Sequence, residues 1–215
     1  MERWLERFAE AIFRRSADVN HDLKTPLNIA VLNLELLKMR LGKSGEGDKE
    51  KVREYASSIE TELRRMARIF DVVLLESVPP ESARAPTAVD LAPIVARRFP
   101  GAGGARGVVL AHEERAREIV DWIAEAAPKI FTGPPAVITE ESSDGRVRVR
   151  LTGAAAIDAS ELGKLFKFYY SDTTGAPQIA LAAARLLAEC YGGALEARSA
   201  GDDIVLELAL PSGEE

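Results

Sequence analysis

The chain has 215 residues, 47% apolar and 29% charged, enough apolar material for two buried cores and too much for global disorder. A lone cysteine, Cys190, excludes a disulfide framework and a thiolate metal cage and fits the reducing cytoplasm. The net charge of −6 falls wholly in residues 79–215, so neither half has the basic balance of a nucleic-acid binder. Further, His21 and His112 stand at no zinc-site spacing, no apolar run reaches the ~18–20 residues of a membrane span, and the opening MERWLERF is no signal peptide.

Apolar or small residues recur at Ala9, Ile12, Ser16, Val19, Leu23, Leu27, Ala30, Leu34, Leu37 and Leu41 in steps of three and four, the stripe of a bundle-forming helix. Pro26 lies inside the stripe, which resumes in phase after it; the pattern predicts one bent helix. GKSGEGD (42–48) breaks it. A second stripe (Val52, Tyr55/Ala56, Ile59, Leu63, Met66, Phe70, Val73) predicts a helix from about Asp48, a plausible N-cap, to Glu76. Such helices around a short polar loop form an antiparallel hairpin, here residues 1–78. One hairpin leaves much stripe open. Two of them close a four-helix bundle, so a homodimer through residues 9–76 is expected; the alternative is that the second domain covers the stripe.

Residues 79–90, mixing prolines with small and polar residues, read as a linker, and 91–215 as the second domain. Helices are predicted over Leu91–Phe99, Glu113–Phe131, Asp158–Phe166 and Gln178–Cys190, the last ended by Gly192-Gly193. Strands are predicted over Ala136–Glu140 and Arg146–Thr152, with a closing hairpin of Ala194–Ser199 and Ile204–Leu210 turning near Gly201-Asp202. Helices mixed with antiparallel strands imply an α+β sandwich. GAGGARG (101–107) reads as a flexible loop, His112 as a solvated residue at a helix start, Trp4 and Trp122 as packing, Glu113 to Arg117 as a charged helix face, and Cys190 as inert.

The first histidine stands in SADVNHDLKTPLNIAVLNLELL (16–37). With Leu23 and Leu27 on the buried stripe, His21 lies about 160° from Leu23, on the wet face. A wet imidazole can meet another protein's carboxylate. Asp22 can accept the ring proton, Thr25 lies one turn on and can orient a water, and Lys24 can offset phosphoryl charge. The run His21-Asp22-Leu23-Lys24-Thr25-Pro26, with Leu34-Glu35-Leu36-Leu37 beyond, resembles the phosphoacceptor helix of two-component sensor histidine kinases. The resemblance implies phosphorylation at His21 and the all-α hairpin as dimerisation domain. It also implies an ATP-binding α+β domain over most of the remaining chain, and response-regulator receiver domains, with their own Mg²⁺, as partners.

Parts of 88–212 resemble that ATP-binding domain: Val89-Asp90-Leu91, Leu165 to Asp172, Leu181-Ala182 to Gly193, and Leu195 to Ser199. Its nucleotide-binding residues do not recur. The chain's asparagines are Asn20, Asn28 and Asn33, so the helix expected to present a Mg²⁺-binding asparagine offers Asp121 and Glu125. Where an Asp-x-Gly-x-Gly turn is expected the strand runs into Leu151-Thr152-Gly153-Ala154-Ala155-Ala156-Ile157, with one glycine and no aspartate, and the phosphate-cradling glycines fall on Ala176, Gln178 and Ala180, beside Pro177. The expectation is therefore a dimeric histidine phosphotransferase that exchanges a phosphoryl group between His21 and receiver aspartates, or dephosphorylates them, binding no nucleotide or metal itself. The alternatives are an active but divergent autokinase, and a non-enzymatic pseudokinase that binds a kinase or regulator.

Overall fold

The computed structural model describes residues 3–41, 46–77, 85–104, 107–168 and 179–213. Contacts divide the chain into a compact unit over Ser16–Leu75 and a second over Glu76–Glu215 joined by Met1–Arg15. The architecture is the expected one, a helical hairpin followed by an α+β domain.

In the hairpin, helix α1 (Arg3–Leu41) passes through Pro26 and helix α2 (Glu46–Ser77) returns antiparallel. Asn33 fixes the register: its Nδ2 donates to Ser58 Oγ at 3.0 Å and to the Ile29 carbonyl at 3.0 Å. Near the loop, Arg40 Nη1 donates to Asp48 Oδ1 at 2.9 Å. Asp48 is therefore not the N-cap: α2 begins at Glu46, and its carboxylate serves the neighbouring helix. The expected single stripe divides into two seams. Pro26 and Ala30 are buried and Leu23, Asn33 and Leu37 half-buried. Leu27, Val31, Leu34 and Leu41 of α1, with Leu63 and Phe70 of α2, stay 42% to 65% exposed in the single chain.

The second unit begins with a correction. The last four residues of the expected linker form strand β1 (Thr87–Asp90), paired antiparallel with β3 (Val108–Ala111). Four-residue strands carry too little alternation to announce themselves and are set by their partner. Asp90 then turns the chain into helix α3 (Leu91–Arg98), its Oδ1 accepting from the Ala92 N–H at 3.0 Å and the Gly107 N–H at 3.2 Å. GAGGARG is not only a loop: Gly103–Gly104 form strand β2, parallel to Ile138–Thr139. A Cβ on Gly104 would sit 2.0 Å from the Thr139 carbonyl oxygen, so this approach requires glycine.

Helix α4 (Glu113–Ile130), strands β4 (Ala136–Ser142) and β5 (Arg146–Ala154), helix α5 (Ala180–Cys190) and strands β6 (Ala194–Ala200) and β7 (Asp203–Pro211) follow as expected, the strands slightly longer. Between β5 and α5, the helix expected over Asp158–Phe166 is a 3-10 turn over Ala159–Lys164. Six residues with three polar side chains and a glycine do not sustain an α-helix.

The main sheet runs β2-β4-β5-β7-β6. Val147, Val149 and Leu151 of β5 and Ile204, Leu206, Leu208 and Leu210 of β7 join Ile119, Ile123, Ala184 and Leu187 of the helices in one core. On the opposite face Arg150 pairs with Glu140 at 3.0 Å and Glu207 at 3.1 Å. Gly192, at φ +74°, ends α5, and Gly201, at φ +68°, lies in the turn of the closing hairpin. Cys190 is buried in the core and Trp122 packs against it.

Candidate functional site

The backbone of α1 carries His21, Asp22, Lys24 and Thr25 within little more than one turn. The side chains of His21 and Asp22 lie outside the described residues. Lys24 is exposed, Thr25 half-buried and Pro26 buried. At about 100° per residue, Thr25, Asn28, Leu32 and Met39 fall within about 40° of the His21 position. Pro26 and Ala30 of the hairpin seam, and the open Leu27–Leu34–Leu41 stripe, fall about 120° or more away. The helix therefore has three faces: one against α2, one apolar and uncovered, and one bearing the His21 position. Leu32 and Met39 extend this third face along α1 and are 56% and 61% exposed. The sequence reading missed them; the available signal was two large apolar residues lying off the main stripe.

In the second unit, Asp121 is half-buried and accepts a hydrogen bond from Arg98 Nε; Glu125 is exposed. The ion pair with Asp121 raises the Arg98 guanidinium further above its ordinary range. Thr152 lies half-buried two residues before the end of β5, and the segment after it is tied to the end of α4: Thr132 N–H donates to the Ala154 carbonyl at 3.0 Å and Ala156 N–H to the Ile130 carbonyl at 2.8 Å. Gly153, the glycine that survives in the expected turn, packs under Phe131: a Cβ there would lie 3.2 Å from the ring and 3.4 Å from Pro135 Cα.

At the start of α5, Ile179 to Ala184 are all buried, and Ile179, at the N-cap position, makes no side-chain capping bond. Gly175, Ala176, Pro177 and Gln178, like Tyr169 to Asp172, lie outside the described residues. Phe168 and Leu165 are buried, and the Arg185 guanidinium lies 5.2 Å from the centroid of Phe166 while bonding Glu189 at 3.0 Å.

His112 is not simply solvated. It is half-buried, with Nδ1 2.7 Å from the Tyr191 hydroxyl, bracing the start of α4 against the end of α5. Burial pushes the Tyr191 phenol well above its ordinary range. Arg115 of the charged helix face is also largely buried and pairs with Glu118 at 2.6 Å. Among the described residues no cluster of histidine, cysteine and acidic side chains suits a metal ion, and no helix is long and apolar enough to cross a membrane.

Residues 14–77 match the model of the His Kinase A (phospho-acceptor) domain. No curated protein sequence matches the chain. Among solved structures, full-length ShkA in complex with AMPPNP is 18% identical with a TM-score of 0.50, over 88% of this chain and 46% of ShkA. The mycobacterial sensor histidine kinase MprB is 16% identical (TM-score 0.49, 59% of this chain, 97% of that one). The Acinetobacter baumannii histidine kinase AdeS is 14% identical (TM-score 0.48, 90% and 98%). At these identities the likeness is one of fold. Residues 14–77 thus match the His Kinase A phospho-acceptor domain, and the helical hairpin with its following α+β domain has a fold similar to that of ShkA.

Proposed function

We propose that the chain is a dimeric histidine phosphotransferase that works without ATP. An imidazole nitrogen of His21 attacks the phosphorus of an aspartyl phosphate on a receiver domain. The N–P bond forms as the P–O bond to the aspartate breaks, and the freed carboxylate stays on the receiver with its own Mg²⁺. Asp22 accepts the proton from the other ring nitrogen, keeping the attacking one nucleophilic. Lys24 offsets charge on the phosphoryl oxygens. The reverse step passes the group to the aspartate of a second receiver, and Thr25 orients a water when the phosphoryl group is hydrolysed instead. The exposed Leu32 and Met39 on the His21 face supply apolar contact for the receiver. The open leucine stripe is covered by the second copy, closing the bundle within residues 9–76.

The observation that carries this reading is a contrast within one chain. The phosphoacceptor run is whole, from His21 to Pro26, on a helix of the matching domain. The nucleotide positions hold groups that do not suit ATP. The stretch from Leu151 to Ile157 holds no aspartate where adenine needs a carboxylate, Asp121 and Glu125 stand where Mg²⁺ needs a neutral amide, and buried Ala180 stands at one of the positions where phosphates need a glycine's open N–H. The α+β domain, residues 91–215, then acts as a brace or docking surface.

The test is a phosphotransfer screen. Radiolabelled receiver domains are mixed with the full chain, with and without His21→Ala. Label is expected to leave the receiver and appear, acid-labile and base-stable, on the wild type alone. Equal loss of receiver label with the variant, or base-stable label gained from ATP and Mg²⁺ alone, overturns the reading.

A further inference from the structure

The α+β domain holds a cavity of about 500 Å³ between the C-terminal half of α4 and the turn that joins α3 to β2. That volume suits a small organic molecule. Asp121, Glu125, Thr152 and Ile179 do not line it, so it is separate from the nucleotide positions. Ala124, Ala127 and Pro128 of α4, at i, i+3 and i+4, form one wall with Phe131 just past the helix end, and Phe99 and Pro135 add to the apolar lining.

One polar feature is built into that wall. Helix α4 continues through Pro128 to Ile130. Proline has no N–H, so the Ala124 carbonyl lacks its usual donor four residues on. Both residues border the cavity. An apolar cavity with aromatic walls and a backbone acceptor short of a donor selects a flat ring with one donor; Arg98 also borders it, but its guanidinium is paired with Asp121, so no free cation is left to favour an anion. We propose that this cavity binds a small neutral aromatic molecule carrying one N–H or O–H donor, with its ring against Phe99 and Phe131 and its donor on the Ala124 carbonyl. The assignment is independent of the phosphotransfer reading.

The probes are indole and 1-methylindole, titrated into the ¹⁵N-labelled full chain. Saturable shifts are expected at the amides of Ala124, Ala127, Phe131 and Val137. Indole should bind roughly threefold to tenfold more tightly than its methylated analogue, the worth of one net hydrogen bond. Gly133→Phe should abolish the shifts: Gly133 borders the cavity, its φ is not positive, and a Cβ there meets nothing within 4 Å. Pro128→Ala restores the N–H and should equalise the two probes. Absence of saturable shifts, shifts that survive Gly133→Phe unchanged, or equal affinities in the wild type would overturn the proposal.

Discussion

The hairpin and the α+β domain handle their large apolar residues in opposite ways. In the domain, Ile204, Leu206, Leu208 and Leu210 are at most 1% exposed, and three helices close the sheet without outside help. In the hairpin, Leu27, Leu34, Leu41, Leu63 and Phe70 are at least 42% exposed. Two helices have too little surface to cover each other's stripes. The difference teaches that the hairpin leaves apolar surface for a partner to cover, whereas the domain's core closes on itself, and each can be perturbed separately.

The largest effect is expected from Leu34→Asp, which places a carboxylate in the open leucine seam. Desolvating an unpaired charge there costs roughly 3–5 kcal/mol. Sedimentation should show the dimer become a monomer, with phosphotransfer lost and the α+β domain still folded. A dimer that survives this change would assign the seam a different role. Next comes Leu206→Ala, a cavity in the sheet core, expected to destabilise the domain by about 2–5 kcal/mol. Urea denaturation followed at Trp122 in a Trp4→Phe background should show a lowered midpoint that does not depend on protein concentration. The smallest is Asn33→Ala, which removes the bond to Ser58; about 1 kcal/mol is expected. It should lower the hairpin's melting temperature by circular dichroism and leave the dimer intact at micromolar concentration.

The same contrast explains what could be read from the sequence. The hairpin is written in local periodicity, and so are α4, α5 and β5, where Val147, Val149 and Leu151 alternate with arginines. Pairings made at long range escaped. Strand β2 is two glycines with no strand propensity of their own, set by pairing with Ile138 and Thr139. His112 looked solvated because its partner, Tyr191, lies 79 residues away. At the run from His21 to Pro26 the residue types and offsets were legible, since the proposed chemistry lies within little more than one helical turn. The Leu32 and Met39 extension was not, because those two residues match no stripe and gain meaning only once the helix faces are separated.

Gly153 carries a consequence for reading eroded motifs. Its place beneath Phe131 and beside Pro135 leaves no ordinary room for a side chain, whatever the neighbouring turn binds. A side chain here would have to push the Phe131 ring aside by a few tenths of an ångström, a constraint that owes nothing to ligand binding. A glycine that fits a binding motif can thus be required by packing alone, so its presence is no evidence for the chemistry of that motif.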